Sequence, residues 1–410
     1  MPPTNTNPRH ARRHGGRPVL SILIVVGMTL AVALVGATSV AAIAGFSLAK
    51  KVEANSIEIL DDDEQAPPSI GEYSGAFNIL IVGVDNDSEQ GDAYGERGST
   101  LNDVNLMLHV SADHSNAVAV SFPRDLIVDH PTCTGPDGAE YSEAYGEPIN
   151  IAMGRGGLAC VVRTVEQLTG LNVPYAGQVS FDAVVQMTDA IGGVTICLTD
   201  SFDDPWIPLA LPAGYSEISG ASALGFLRSR HGVGDGSDLG RISSQQQYLS
   251  SLMRKIKSDE TLTDLSKLYS LANVVATNVR LSSTLTSADT MISMAQALRT
   301  IDLDNIVFVQ YPGSTGDSNY PGKVVPLSDQ ADELFALIAS DQPFTLGADS
   351  QGIGTVADPS VTAPVDPAVP AEEPSAPDST ESEAPAGVDS VVLDGVTGQT
   401  AQQATCAIPN

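Results

Sequence analysis

The sequence predicts a layered α/β domain, and three observations carry that prediction. Short apolar runs end at glycine or aspartate, helical stripes close on glycine, and the two kinds of segment alternate along the chain. FNILIVGV (77–84) is a continuous apolar run of the kind a strand buried on both faces shows. VNLMLHVS (104–111) and AVAVSFP (117–123) read as two further strands. LACVVRTVEQLTG (158–170) has apolar residues at 158, 161, 162, 165 and 168, a helical stripe stopped by Gly170. YAGQVS (175–180) reads as a strand, FDAVVQMTDAIGG (181–193) as a helix with a glycine stop, and VTICL (194–198) as a strand. Helices are expected at 220–228, 239–257, 263–278, 286–299 and 328–340, with a strand, NIVFVQY, at 305–311. The domain is therefore expected to span 76–345.

The flanks differ from this body. Residues 1–18 are basic, and Val19 to Leu48 contain no charged side chain. A helix of that length spans about 45 Å, more than the ~30 Å of bilayer hydrocarbon. The expectation is a transmembrane helix at 19–48 with a cytoplasmic N-terminus, because the charges before it are positive. A cleaved signal peptide would have a shorter apolar region. Residues 49–75 form a polar spacer with DDDE at 61–64, and 346–387 form an acidic Pro-rich linker without Lys or Arg. Residues 388–410 are read as a short C-terminal segment.

The chain carries 20 Lys+Arg against 50 Asp+Glu, a formal net charge of -30. Six of the basic residues lie in 1–51, so the body is strongly acidic and repels nucleic acid. Cys133, Cys160, Cys197 and Cys406 all follow the anchor, where disulfides can form. Their spacing matches no CxxC metal pattern, and four cysteines allow three pairings among which the residues alone do not choose.

Against that acidity, RSRHGVGDGSDLGR (228–241) gathers Arg228, Arg230 and Arg241 around a glycine-rich turn. In an extended segment Arg228 and Arg230 would point the same way. SDLG then starts a helix with Ser237 or Asp238 as N-cap, and Arg241 and Gln245 share a face near that anion-favouring end. Guanidiniums converging on one spot repel one another unless an anion lies between them, and their planar forks suit phosphate. Three strand ends add to this. Asp85 follows the first strand, where open α/β sheets bind ligands. Asp103 begins the second, and two such carboxylates can hold a hard cation such as Mg²⁺. In SFPRD (121–125), Pro123 breaks the third strand and aims Arg124 and Asp125 at the same edge. Taken singly, each of these is as readily a turn aspartate or a structural ion pair. There is no GxxxxGK[ST], GxSxG, HExxH or CxxC.

With those residues in view, the chain resembles the LytR-CpsA-Psr family over about Phe77 to Lys257. The resemblance rests on FNILIVGVD, SFPRD, IN at 149–150, TVEQLTG (164–170), VSFDAVVQMTDAIGGV (179–194), LRSRHGVGDGSDLGR (227–241) and QQQ (245–247), in the family's order. It implies a three-layer α/β/α sandwich with a central mixed sheet and a hydrophobic lipid-binding cleft, preceded by one transmembrane helix. It also implies a membrane-anchored, extracytoplasmic, Mg²⁺-assisted phosphotransferase that moves a glycopolymer from a polyprenyl-pyrophosphate carrier to peptidoglycan. By motif, Asp85 and Asp103 would hold Mg²⁺. Arg124, Arg228, Arg230 and Arg241 would bind pyrophosphate with Gln245 and Asn150 beside them, and Asp238 would orient the arginines. Asp103 or Asp125 would take the acceptor's proton. The alternatives are a pyrophosphatase using the same pocket, a non-catalytic lipid or glycopolymer-binding protein, and a membrane-bound transcriptional regulator. The chain departs from the family pattern at Asn86-Asp87-Ser88 and at Leu101-Asn102. It also has Ser244 where a second arginine usually precedes the glutamines, and Arg97 is a candidate replacement for a missing arginine. Cys133 is expected to pair with Cys160, since both flank the INIA segment, and Cys197 with Cys406 by elimination.

Overall fold

The computed structural model describes residues 47–60, 75–85, 100–258, 265–361 and 391–410. The expected transmembrane helix, apart from its last two residues, lies outside them. So do most of the spacer and the linker, Arg97 and Asn86-Asp87-Ser88. Among the described residues no helix is long and apolar enough to cross a membrane.

Eleven strands and seven helices position the site. The strands are β1 (Phe77–Val84), β2 (Asn102–Val110), β3 (Ala117–Phe122), β4 (Tyr175–Val179), β5 (Val194–Leu198), β6 (Gly214–Ile218), β7 (Val279–Leu281), β8 (Ile306–Gln310), β9 (Thr355–Ala357), β10 (Gly398–Thr400) and β11 (Thr405–Ala407). The helices are α1 (Ala152–Thr169), α2 (Phe181–Ile191), α3 (Gly220–Arg228), α4 (Asp238–Lys257), α5 (Leu265–Asn278), α6 (Ala288–Thr300) and α7 (Ser328–Ala339). A seven-stranded sheet runs β7-β4-β1-β2-β3-β8-β10. It is mixed: β4 is parallel to β1 and β8 to β3, while the remaining neighbours are antiparallel.

The two faces of this sheet are packed differently. Leu80, Val82 and Val84 of β1 and Met107 of β2 turn to one face and are fully buried, joined there by Leu158, Val161 and Val165 of α1 and Leu334 and Phe335 of α7. Phe122 stacks on Phe335 with centroids 6.3 Å apart. Each such side chain contributes about 1.5–3 kcal/mol by leaving water. On the other face, Gln399 of β10 donates to the Gln246 carbonyl (3.3 Å) and to Ser250 Oγ (2.7 Å), which seats α4 over β8 and β10. Ile79, Ile81, Leu106 and Leu108, in register on that same face, remain only half-buried.

A second sheet, β6-β5-β11-β9, lies beyond α4. Gln247 donates to the carbonyls of Cys197 (2.7 Å) and Thr405 (2.8 Å). The first half of α4 is therefore enclosed on all sides, with Ser243, Ser244, Gln246 and Gln247 all buried. The 3.6-residue spacing of Leu249, Leu252, Met253 and Ile256 marks only its second half, where side chains are half-exposed.

The C-terminal segment differs from its expectation. Residues 391–410 supply β10, which covers the edge of β8, and β11, which pairs with β9 and β5. Leu393 and Val396 enter the main core. A sheet edge left with unpaired backbone groups is a liability, and β10 removes it. These strands are too short to show a two-residue period, which is why the sequence set them apart. Both expected disulfides are present, Cys133–Cys160 and Cys197–Cys406, and the second ties β11 to β5.

Candidate anion-binding site at the strand ends

A bulge places the first carboxylate. The β1–β2 register runs Gly83 to Val104 and then Val84 to Asn102, so Asp103 is the extra residue between them. A bulged residue is released from the ladder and re-aimed. Its carbonyl accepts a hydrogen bond from Arg241 Nη2 at 2.7 Å, and its carboxylate Oδ1 pairs with Arg124 Nη1. Asp85, fully buried, accepts from the Leu101 amide at 3.0 Å, which closes the segment leading into β2. Asn102 braces the other side through Asn105 (2.7 Å), the Ile149 carbonyl (3.1 Å) and the Met153 amide (3.1 Å).

Pro123 ends β3, and Arg124 and Asp125 follow at the same edge. The N-terminus of α4 meets them there. Ser237 is its N-cap and accepts from the Gly240 amide. Asp238, buried, accepts from the Arg124 amide at 2.9 Å through Oδ2 and pairs through Oδ1 with Arg241 at 2.7 Å. Asp238 therefore joins strand end to helix start and pairs with the Arg241 guanidinium. Arg241 is 5% exposed, and its Nε has no hydrogen-bond partner. The Asp125 carboxylate collects Lys323 (2.7 Å), Arg124 (3.5 Å) and Arg230 (3.7 Å). Burial would raise the Asp125 carboxyl, but the Lys323 hydrogen bond and the surrounding cations outweigh it and hold it below the usual carboxylate range. Burial likewise opposes the charge on Arg124, and Asp103, Asp125 and Asp238 more than offset it.

The structure thus assembles Asp103, Arg124, Asp125, Arg230, Asp238 and Arg241, with Asp85 at the neighbouring strand end. Four further residues singled out in the sequence have the following surroundings. Arg228 ends α3, the helix expected over 220–228, and the chain extends only at Ser229, so Arg228 and Arg230 do not share one extended segment. The Arg228 guanidinium lies 4.1 Å from the Phe181 ring centre. Gln245 donates to the Leu227 carbonyl at 2.9 Å and so fixes α3 against α4. Asn150 is buried, and its backbone amide donates to the Arg124 carbonyl at 3.1 Å. Ser244 does not face the site rim; it is fully buried and donates to the Gly240 carbonyl. Lys323 was missed. It reaches the site from the hairpin 313–326, beyond every motif, and its one sequence signal is the scarcity of lysine in this body.

Among the described residues, Cys197, Asp358 and Cys406 lie close enough to share a metal, but the two sulfurs are spent in a disulfide. Asp85 and Asp103 offer hard oxygen donors from adjacent strands, a set that suits Mg²⁺.

A mixed α/β domain that concentrates arginine around carboxylates at its strand ends offers a candidate site for an anion. A model of the LytR_cpsA_psr family matches residues 41–335, and the chain belongs to that family. The cell wall biosynthesis protein LcpA of Corynebacterium glutamicum is 30% identical over 318 residues, covering 69% of this chain and 60% of that protein. The polyisoprenyl-teichoic acid–peptidoglycan teichoic acid transferase TagT of Bacillus subtilis is 24% identical over 303 residues, 72% of this chain and 88% of that protein. The LytR-Csp2A-Psr enzyme from Actinomyces oris superposes with a TM-score of 0.50 at 19% identity, over 69% of this chain and 94% of that one. This likeness concerns the fold. The chain spans 47–60% of the length of the first curated relatives it matches.

Proposed function

We propose that the protein is a membrane-anchored phosphotransferase that moves a glycopolymer from a polyprenyl-pyrophosphate carrier to peptidoglycan, with the catalytic domain extracytoplasmic and the N-terminus cytoplasmic. The observation that carries this reading is Arg241: a nearly enclosed guanidinium whose Nε lacks a partner, sharing Asp103 and Asp238 with Arg124, which in turn shares Asp125 with Arg230. Buried donors without partners cost free energy that a bound pyrophosphate oxygen would recover.

In the proposed reaction the acceptor sugar's hydroxyl oxygen bonds to the phosphorus bearing the glycan. The bridging P–O bond breaks, and polyprenyl phosphate departs with the electron pair. The transition state of phosphoryl transfer is loose, so the hydroxyl proton is lost late and passes to water. Asp125, held acidic by three cations, is a poor proton acceptor and acts by positioning Arg124, Arg230 and Lys323. Those cations and Arg241 stabilise charge on the equatorial oxygens. Asp85 and Asp103 would hold Mg²⁺, which when bound neutralises phosphate charge. The half-buried strip of Ile79, Ile81, Leu106 and Leu108, flanked by the small residues Ala119 and Gly177 in register, supports a lipid-binding cleft.

The test is to incubate the protein with a polyprenyl-pyrophosphate-linked glycan, Mg²⁺ and peptidoglycan. Wall-linked glycan is expected. Free phosphorylated glycan with no wall-linked product would replace the transferase by a pyrophosphatase. No turnover at all would leave a binding protein.

A further inference from the structure

We infer that a cavity on the opposite face of the sheet from the half-buried apolar strip is the acceptor site, and that it takes a saccharide carrying a short peptide with a free carboxylate. This assignment rests on the transferase reading above. The cavity measures about 750 Å³ and lies between the first turns of α1, the hairpin 133–141, residues 57–60, the edge strand β7 and its neighbour β4.

Its position is set by registers already described. Gln178 and Arg280, which line it, pair with each other and lie on the same face as Val82, the α1-covered face. Thr100 also lines it, three residues before Asp103. Asn102 connects the two places directly: its side chain holds the amide of Met153 in the cavity wall, while the next residue is the bulged Asp103 of the arginine site. The cavity and the anion site therefore open at the same end of the sheet, on opposite faces. This arrangement is compatible with in-line phosphoryl transfer, in which the attacking and leaving oxygens lie on opposite sides of phosphorus. A lipid leaving group seated on the Ile81–Leu106 strip puts the incoming hydroxyl on the α1 side.

The wall is built to be rigid. The backbone of α1 departs from helical geometry at Gly156 and Gly157, and Gly157 has φ 70°. A Cβ on Gly156 would lie 2.3 Å from Cys160 Sγ and 3.1 Å from Gly135, so only glycine lets the hairpin approach. The Cys133–Cys160 disulfide then stitches the hairpin to α1 just past this kink.

The lining chemistry identifies the ligand class. Arg155 donates through Nη2 to the Ser142 carbonyl, while its buried Nε has no partner. Arg280 adds an exposed guanidinium from β7. The carboxylates nearby are already engaged. Glu58 accepts from the amides of Ile59 and Leu60 and from Ser283, and Asp137 accepts from the Ala139 amide. The cavity thus presents two guanidiniums, Arg155 and Arg280, alongside the hydrogen-bonded carboxylates of Glu58 and Asp137, beside the Tyr141 ring and a floor of Met153 and Leu158. Guanidiniums bind carboxylates, and an aromatic ring on an aliphatic floor accepts the apolar face of a sugar.

The probe is N-acetylmuramyl tripeptide, titrated calorimetrically into the full chain without donor. Wild type is expected to bind. Arg280→Glu and Arg155→Ala should each weaken binding about tenfold, the loss of one charge-assisted hydrogen bond. Arg280 is exposed on an edge strand, so its variant keeps the test valid if Arg155→Ala loosens the hairpin. Absence of binding by wild type, or equal affinity in a folded Arg280→Glu protein, overturns the assignment. The two readings fail separately. Wall-linked product formed by a protein whose acceptor KM is unchanged in Arg280→Glu would remove the cavity and keep the transferase. Tripeptide binding lost in the variants of a protein that never turns over donor would do the reverse.

Discussion

The two faces of the central sheet are made from the same strands and the same residue types, yet they serve different ends. On one, Leu80, Val82 and Met107 are fully excluded from water beneath α1 and α7. On the other, their neighbours Ile79, Ile81, Leu106 and Leu108 stay half-exposed, because α4 sits over β8 and β10 and leaves β1 and β2 uncovered. A strand buried on both faces and a strand buried on one with an apolar ligand on the other read alike in sequence. The difference lies in where the helices sit.

Substitutions separate the two faces. Leu80→Ala should cost about 2–5 kcal/mol in urea unfolding, since it opens a cavity under close-packed helices. A smaller loss would mean that face is less tightly packed than its burial implies. Replacing both Cys197 and Cys406 by serine should cost about 2–4 kcal/mol by the same measurement, because the bridge holds β11 and β5 at the outer flank of α4. Ile81→Ala and Leu106→Ala should each cost only about 1 kcal/mol of stability, as half-buried side chains do. Their main effect should be on KM for a lipid-linked donor, raised about tenfold. A stability loss equal to that of Leu80→Ala would show that this strip is core. The smallest effect is on pH dependence. The folded-state pKa of Asp125 lies below its unfolded value of about 3.9. Its contribution is therefore present above that pH and lost as pH falls through the folded value. Asp125→Asn should flatten the acid limb of a Tm-against-pH curve below about pH 4 and leave the rest of the curve's shape alone.

Much of this was legible in the sequence because it was local. Helix ends announced by Gly170, Gly192 and Ser237 fell where expected. The arginines stood out against an acidic body. What was not legible depended on long-range contact. Lys323 reaches Asp125 across 198 residues, and no spacing connects them. The helix expected over 220–228 ends at Arg228, so the period-2 relation to Arg230, which holds only within an extended segment, does not apply to it. The triple glutamine looked like ligand chemistry, but Gln245 bonds the Leu227 carbonyl and Gln247 bonds two strand carbonyls. Those residues make α4 a strut between two sheets. The site depends on that strut, since it delivers Asp238 and Arg241 to the strand ends.

The Cys197–Cys406 bridge also changes what it means to cut this chain. Strands on either side of residues 362–390 are anchored, Thr355–Ala357 by pairing with Thr405–Ala407 and the tail by its own sulfur. A protease that severs any bond in that interval makes two polypeptides but one molecule. On a non-reducing gel it would run as a single species, and with thiol present it would release the tail. The last twenty residues could then be lost only by an agent that both cuts and reduces, so the edge cover on β8 would outlast proteolysis by itself.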